Sequence, residues 1–599
     1  MQKQIRNRVQ LYGVAAIILA LILGTLCYNF GVYPQIALPS QTSAALFKTF
    51  SSYEELKSFL LANSKTQGAF QIRGPLDNSV LSPETFGFDD KSQGSTPSYS
   101  ATNIQVSGVD EADMVKTDGR YIYVLSGQNV SILRAYPPEQ AEVLSRIPFE
   151  DMYPVGIFVS GDRLAVLGGK YAYSETFPFI LPFAPTYRPP WVVDVKTFVK
   201  VYDISDRVHP VPLKDYKITG SYFGSRMIGD YVYFIASQPA YVYSDAVGLP
   251  MIYSPDGQKE ISATEIHYTN VSDNYFQFTT FVALNMRNTT ETPTYMTLML
   301  GGTSGMYVSL SNIYVTFQEW EGNTTIYRLH TADSNITCEA NGTVLGHELN
   351  QFSMDEDNGY FRIATTTWMN GTNRNNLYIL DMNLSVVGKL EDIAPGETLD
   401  STRFIGNRCY LSTSIVRRDP FFVINVENAT NPKILGYLKI PGFTRYLHPY
   451  DEDHVIGIGK DGSNLKVSLF DVSNVSDPKN ISEYKVEGSW SDSSVLSEHK
   501  AFLFEKSKDL LAIPVSVNNW SPEHYVIWQG TYVFNVTLSD GIVLRGSITH
   551  QNASTSNWDS SYWVERSLYI ENVLYTISSK EIKMNNLGDL TLINELKLP

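Results

Sequence analysis

DHVIGIGKDGSNLKVSLFDVSNVSDPKNISEYKVEG, residues 453–488, holds most of one structural cycle. An Asp turn leads into the apolar run HVIGIG. After a polar loop comes a second run, LKVSLFDV, closing on Asp and Asn. Pro478 follows, and the segment ends on ISEYKVEG, where apolar and polar residues alternate. Short apolar or alternating runs between Gly, Asp, Asn and Pro are strand and turn signals, because those residues supply the backbone angles that reverse a chain.

The first kind of run recurs as RYIYVLSG (120–127), DRLAVLGG (162–169), DYVYFIAS (230–237), SNIYVTFQ (311–318) and NRCYLSTS (407–414). The second recurs as VKVYDISD (199–206), TTFVALNM (279–286), NLYILDMN (376–383), FFVINVEN (421–428) and TYVFNVTL (531–538). The cycle repeats every roughly 40–65 residues, the spacing of propeller blades. Nine cycles can be counted, with strands starting near residues 113, 155, 222, 306, 352, 401, 445, 494 and 562. One four-stranded sheet cannot bury both faces alone, but a closed ring of them covers each face and leaves no long free edge. The predicted fold is all-β: a single large β-propeller of eight or nine four-stranded blades over 99–599. Long Tyr- and Pro-rich insertions fall near 171–190 and 240–265. The 38 Tyr and 29 Phe agree with a strand-rich chain.

Residues 1–34 read as a basic tail and a signal anchor or signal peptide. Lys3, Arg6 and Arg8 precede LYGVAAIILALILGTLC (11–27), which with its flanking aromatics is just long enough to span a bilayer. The basic flank places the N-terminus in the cytoplasm and the remainder outside. No A-x-A site follows, and Leu26 before Cys27 spoils a lipobox; an uncleaved anchor is favoured over a cleaved leader. Residues 35–98 are expected to hold one short helix, 51–61, capped by Ser51 or Ser52, and then a Ser-, Gly- and Pro-rich stalk. Asn-x-Ser/Thr sequons, potential glycan acceptors in an exported chain, occur at Asn129, Asn270, Asn288, Asn323, Asn335, Asn341, Asn370, Asn383, Asn428, Asn474, Asn480, Asn519, Asn535 and Asn552. Their density fits an organism that glycosylates exported proteins, an archaeon among them. Loops rich in Asn, Ser and Thr are the competing explanation.

The net charge of −16, without a Lys/Arg cluster, argues against nucleic acid as a partner. Three cysteines, Cys27, Cys338 and Cys409, form no disulfide framework; the last two could pair, but they are expected two blades apart, where a bridge does not reach, and buried free thiols are the plainer reading.

NIQVSGVDEADMVKTDGRYIYVLSG (103–127), RFIGNRCYL (403–411), LGYLKIPGFTRYLHPYDEDHVIGIG (435–459) and EHKAFLFEKSKDLLAIPV (498–515) resemble motifs of the secreted β-propeller family of archaea and bacteria, distantly related to WD-repeat proteins. The resemblance runs from about residue 50 to the end. It implies export and a propeller, and it transfers no catalytic residue or cofactor.

No G-x-S-x-G, HExxH or P-loop motif occurs. Asp110, Glu111 and Asp113, just before the first blade with Lys116 nearby, are candidates for Ca²⁺, which takes carboxylate oxygens; tying the ring closed is the other role for them. Asp355-Glu356-Asp357-Asn358-Gly359 resembles half a calcium loop but sits where a hairpin turn is expected. His448, Tyr450, Asp451 and His499 fall near the inner strands of adjacent blades and are candidates for ligand binding at the channel mouth, with a blade-locking hydrogen-bond network as the alternative. Two functions follow. The first is a non-catalytic binding or scaffold protein on the outer face of the cell membrane, its partner a cell-surface protein, a glycan or a second copy. The second is a secreted hydrolase or lyase on polysaccharide or peptide, with its site in the central funnel.

Overall fold

The computed structural model describes residues 47–63, 97–174, 191–243, 245–269, 275–319, 322–415, 418–520, 525–551 and 559–598. The leader, Cys27, residues 64–96 of the linker, the 175–190 loop, Asn270 and Asn552 lie outside them. Among the described residues no helix is long and apolar enough to cross a membrane.

Among the described residues, nine sheets of four or more strands follow one another along the chain, antiparallel except where Ile266–Tyr268 runs parallel to Thr294–Leu300. We number them blades 1 to 9. Their first strands are Val115–Thr117, Tyr153–Ser160, Ser221–Ile228, Thr303–Val308, Met354–Asp357, Thr398–Ile405, Phe443–Asp451, the split pair Trp490–Asp492 and Leu503–Glu505, and Arg566–Ile570. The starts expected from sequence fall close to these. The largest offsets are 494 against Trp490 and 562 against Arg566.

Within each blade the strands run as a meander, so turns alternate between two ends. One end carries the turns between strands one and two and between three and four; we call it the hairpin face. The other, the linker face, carries the turns between strands two and three and the links to the next blade. The 240–265 insertion departs from the simple loop expected: its hairpin, Met251–Ser254 and Gly257–Glu260, pairs onto the outer strand of blade 2.

The core is divided into nine apolar clusters, each formed between two successive blades. The cluster of Leu568, Ile570 and Tyr575 with Val115, Ile122 and Val124 joins blade 9 to blade 1 and closes the ring. Each fully buried aliphatic or aromatic side chain there contributes about 1.5–3 kcal/mol.

A second contact repeats nine times. One residue of each outer strand meets the strand three–four turn of the next blade. Ser145 Oγ donates to Arg207 O (2.6 Å), Lys214 Nζ to Glu291 O (2.8 Å) and Thr294 Oγ1 to Ser334 O. Gly342, Gly388 and Gly436 lie so close to the carbonyls of Leu384, Ala429 and Val475 that a Cβ would clash. Ser482 Oγ accepts from Ile542 N (2.9 Å), and Arg545 Nη2 donates to Gly588 O (3.0 Å). Asn594 Nδ2 donates to Pro138 O (2.8 Å), which repeats the contact across the closure. Strand-two tyrosines reach the same turns: Tyr233 OH donates to Asp333 O and Tyr575 OH to Ala135 O, both at 2.7 Å.

The structure redraws one boundary. The helix, Tyr53–Asn63, is not part of a stalk. Phe50, Leu56 and Leu60 are buried in the cluster between blades 2 and 3, and strand Lys48–Thr49 pairs with Ile266–Tyr268 at the outer edge of blade 3. The compact body begins at Phe47. Cys409 is buried as expected, Cys338 is only half-buried, and both are free.

Gly436→Ala is expected to lower unfolding stability by about 1–3 kcal/mol, because the methyl group meets a backbone carbonyl that the ring cannot move aside. Tyr575→Phe, which strands the Ala135 carbonyl, should cost about 1 kcal/mol. Urea denaturation reads both, and an unchanged midpoint for Gly436→Ala would contradict the packing described.

Candidate functional site

A ring of nine blades leaves a wide centre, and the chain fills it with its own loops. Three segments meet there: 98–113, which precedes blade 1; 347–353, linking blades 4 and 5; and 493–502, within the split inner strand of blade 8. The 98–113 segment crosses the channel. Ser100 N donates to Tyr569 O of blade 9 (3.0 Å). Asn103 Nδ2 donates to Tyr446 OH of blade 7 and to His499 O, both at 3.1 Å. Gln105 Nε2 donates to Gln351 O (3.0 Å). Gly108, at φ +80°, then turns the chain, and Val109–Glu111 runs antiparallel along Arg226–Ile228 of blade 3. Asp113 exchanges backbone hydrogen bonds with Ile157 of blade 2, and blade 1 begins.

The acidic trio sits in this crossing, and each member has a cation. Asp110 pairs with Lys116 (2.6 Å), Glu111 with Arg226 (3.6 Å) and Asp113 with Arg566 of blade 9 (3.0 Å). Arg566 also faces Glu498 (3.5 Å), and Lys500 Nζ donates to Ala112 O (3.2 Å). Glu111 further accepts from Gln105 N (3.1 Å), and Arg226 donates to Gln351 Oε1 (2.8 Å). The trio therefore joins the first blade to the third and the ninth. Among the described residues no group of three or more His, Cys, Asp or Glu is placed to hold a metal ion. The half calcium loop is a two-residue hairpin, with Asn358 at φ +50° and Gly359 at φ +76°. Its Asp355 accepts from Arg362 Nε (2.8 Å), and its Glu356 from Tyr314 OH (2.7 Å).

The four residues expected at a channel mouth separate into two places. His499 lies at the centre, 1% exposed, with Nε2 3.7 Å from Glu111 Oε2 and its ring against Phe352. His448 is buried against Phe502 and Phe504, with Nδ1 3.0 Å from Tyr446 OH. Tyr446 and Asn103 thus link the two histidines. Burial, reinforced by Lys500 and Arg403 for His499 and by Arg403 for His448, holds both pKa values well below the usual imidazole range. Tyr450 and Asp451 instead stand near the hairpin face. Asp451 accepts from His454 Nδ1 (2.7 Å) and Lys506 Nζ (2.8 Å); burial opposes its charge, but those hydrogen bonds keep its pKa below the usual carboxylate value. The His499–Glu111 pair is the arrangement closest to acid–base machinery, and it is enclosed, with Glu111 2% exposed.

Sequence reading missed Asn103, Arg226, Gln351, Phe352, Arg403 and Arg566. One signal was available: SRMIG (225–229) and TRFIG (402–406) place an Arg at the same register of an otherwise apolar inner strand. Arg226 is the partner of Glu111, and Arg403 lies over the Phe352 ring (5.4 Å).

The described sequons fall on both faces. Asn288, Asn428 and Asn474 are exposed in strand three–four turns, where Oδ1 of each accepts from the amide and hydroxyl of Thr290, Thr430 and Ser476. Asp203, Asp471 and Asp589 make the same pair of bonds to Ser205, Ser473 and Thr591.

Ring and filled centre together define a propeller whose channel is occupied by its own chain. Residues 99–590 match the β-propeller domain family, and the chain belongs to it. It is similar to an uncharacterized protein of Archaeoglobus fulgidus, 27% identical, with 92% of this chain and 95% of that one covered. An uncharacterized protein of Methanocaldococcus jannaschii is also 27% identical, with 83% of each covered. Among solved structures, a dihydro-heme d1 dehydrogenase is similar at 10% identity and a TM-score of 0.35, covering 82% of this chain and 75% of that one.

Two tests address the centre. Asp113→Asn leaves Arg566 buried and under-neutralised and should cost about 3 kcal/mol, whereas Asp113→Leu with Arg566→Met should recover much of it. The pH dependence has a definite sign. The imidazoles of His448 and His499, and of His550 (lowered by burial to about 3), take up protons less readily in the folded state than when unfolded. Stability should therefore fall as pH drops from about 6.5 towards 4, by up to ~1.4 kcal/mol per pH unit for each histidine. Asp355 and Asp400, raised by burial, act in the opposite sense in the acid part of that range. Urea titrations across this window should show a shallower slope for His499→Gln.

Proposed function

We propose that the protein is a non-catalytic binding propeller, anchored at the outer face of a cell membrane, that engages its partner through the linker face. One observation carries this reading. Trp368, Trp520 and Trp490 are 70%, 67% and 40% exposed, and all three lie at linker-face ends of strands, in blades 5 and 8. Exposed tryptophan is costly to leave in water and is the residue type that most often dominates an interface. The filled centre supports the same reading, since its acids Asp110, Glu111 and Asp113 are paired with Lys116, Arg226 and Arg566. The apolar run at 11–27 and its basic flank support the anchor. A cell-surface protein, a glycan or a second copy are the partners this face would suit. The hydrolase reading would require the 98–113 segment to leave the channel before substrate entered.

Cross-linking of the full chain in envelopes of its own cells, with mass spectrometry of the adducts, tests the proposal. Trp368→Ala with Trp520→Ala should abolish the main adduct while leaving the unfolding midpoint unchanged, because both side chains are on the surface. An adduct that persists in the double variant would sink the linker-face assignment. Hydrolysis of envelope polysaccharide by the purified chain would favour the enzyme instead.

A further inference from the structure

We propose that the ring stands edge-on to the membrane, with the outer edge of blade 3 seated in the interfacial zone of the bilayer. The inference rests on the anchor reading above and adds which surface meets the lipid. Its first support is where the chain joins the body. Phe47 leads directly into Lys48–Thr49, the outermost strand of the blade 3 sheet, and the helix Tyr53–Asn63 packs beside it. Only residues 34–46 separate that edge from the apolar run and its flanking aromatics. Thirteen residues span at most about 45 Å when fully extended.

The second support is what that edge exposes. Tyr243, Tyr275, Tyr241 and Leu61 are between 44 and 66% exposed. They belong to one patch. The hairpin Val242–Tyr243 with Ala246–Val247 is held to the helix by Tyr53 OH, which accepts from Val247 N (2.6 Å), and by the Lys57–Asp245 ion pair (2.7 Å). Phe276 stacks edgewise on Phe59 of the same helix, and its carbonyl accepts from Ala240 N. Tyrosine is suited to the headgroup level, with an apolar ring and a polar tip. The ionisable groups around the patch, Lys48, Lys57, Glu54, Glu55 and Asp245, nearly balance, so a lipid surface meets little net repulsion. Seating by the edge also leaves both faces of the ring open, including the tryptophans of the linker face.

The test uses the full chain in phosphatidylcholine vesicles, with Cys27 and Cys338 replaced by Ser and the buried Cys409 retained. A nitroxide is placed by Tyr243→Cys, Trp368→Cys or Ile481→Cys, the last on the outer strand of blade 7 across the ring. Collision with a water-soluble nickel chelate should be several-fold lower at position 243 than at 481, with 368 resembling 481. Equal access at 243 and 481 in a chain that floats with the vesicles overturns the seating and leaves the anchor standing. A chain that does not float overturns both. Protection at 368 equal to that at 243 means that the face lies on the membrane, and protection at 243 without vesicles means that a second copy covers it; each overturns the edge-on seat.

Discussion

Each blade is a sheet with two apolar faces, and only another blade can cover them. Everything else in the ring follows from that constraint. It divides the core into nine interfaces rather than one interior, and it makes the stagger between neighbours matter as much as the pairing within a sheet. The contact between an outer strand and the next strand three–four turn fixes that stagger. Where the approach is closest the chain uses Gly342, Gly388 and Gly436; where there is room for a side chain it uses a donor aimed at a carbonyl, as Ser145, Lys214 and Asn594 do. Closure obeys the same rule. Blades 1 and 9 are each continuous in sequence, so no strand is shared across the seam. The seam is held by packing, by Asn594 and Tyr575, and by the Asp113–Arg566 pair.

Ring size then sets the fate of the centre. An open, wet channel would leave inner-strand edges solvated and the two ends of the chain weakly tied. The crossing of 98–113 removes both problems, because its backbone and amide side chains bond to blades 9, 7, 3 and 2 in turn. The charges it carries are expensive to bury, and ion pairs of this kind seldom add net stability over apolar packing. Their contribution is to register: Glu111 stands opposite Arg226, and Asp113 opposite Arg566. The centre is therefore organised around joining distant parts of the chain.

The blades were legible in the sequence because a local pattern repeats, and a period survives without knowledge of long-range contacts. The closure role of Asp110, Glu111 and Asp113 was legible in part, since acids just before a first strand need partners, but the partners were not. Arg226 and Arg566 lie over a hundred and over four hundred residues away, and nothing in spacing links them. The helix at 53–63 was found but misplaced. Its apolar stripe is short, and only the packing of Leu56 and Leu60 under blade 3 shows that it belongs to the body. His448 and His499 read as channel-lining because they fall on inner elements. The channel being filled by another segment is a three-dimensional fact that no local pattern records.

The sequons show how one motif can serve two ends. In strand three–four turns the Asn-x-Ser/Thr triplet is a turn device: the first side chain accepts from the amide and hydroxyl two residues on, and blades 2, 7 and 9 build the same device with Asp. Turn chemistry alone accounts for Asn288, Asn428 and Asn474, so their presence adds little weight to export. The exposed acceptors Asn335, Asn370, Asn383, Asn519 and Asn535 fall outside that device. Two of them, Asn370 and Asn519, stand within two residues of Trp368 and Trp520. A glycan at either would border the aromatic surface assigned to the partner, so their occupancy bears directly on how much of the linker face is open to contact.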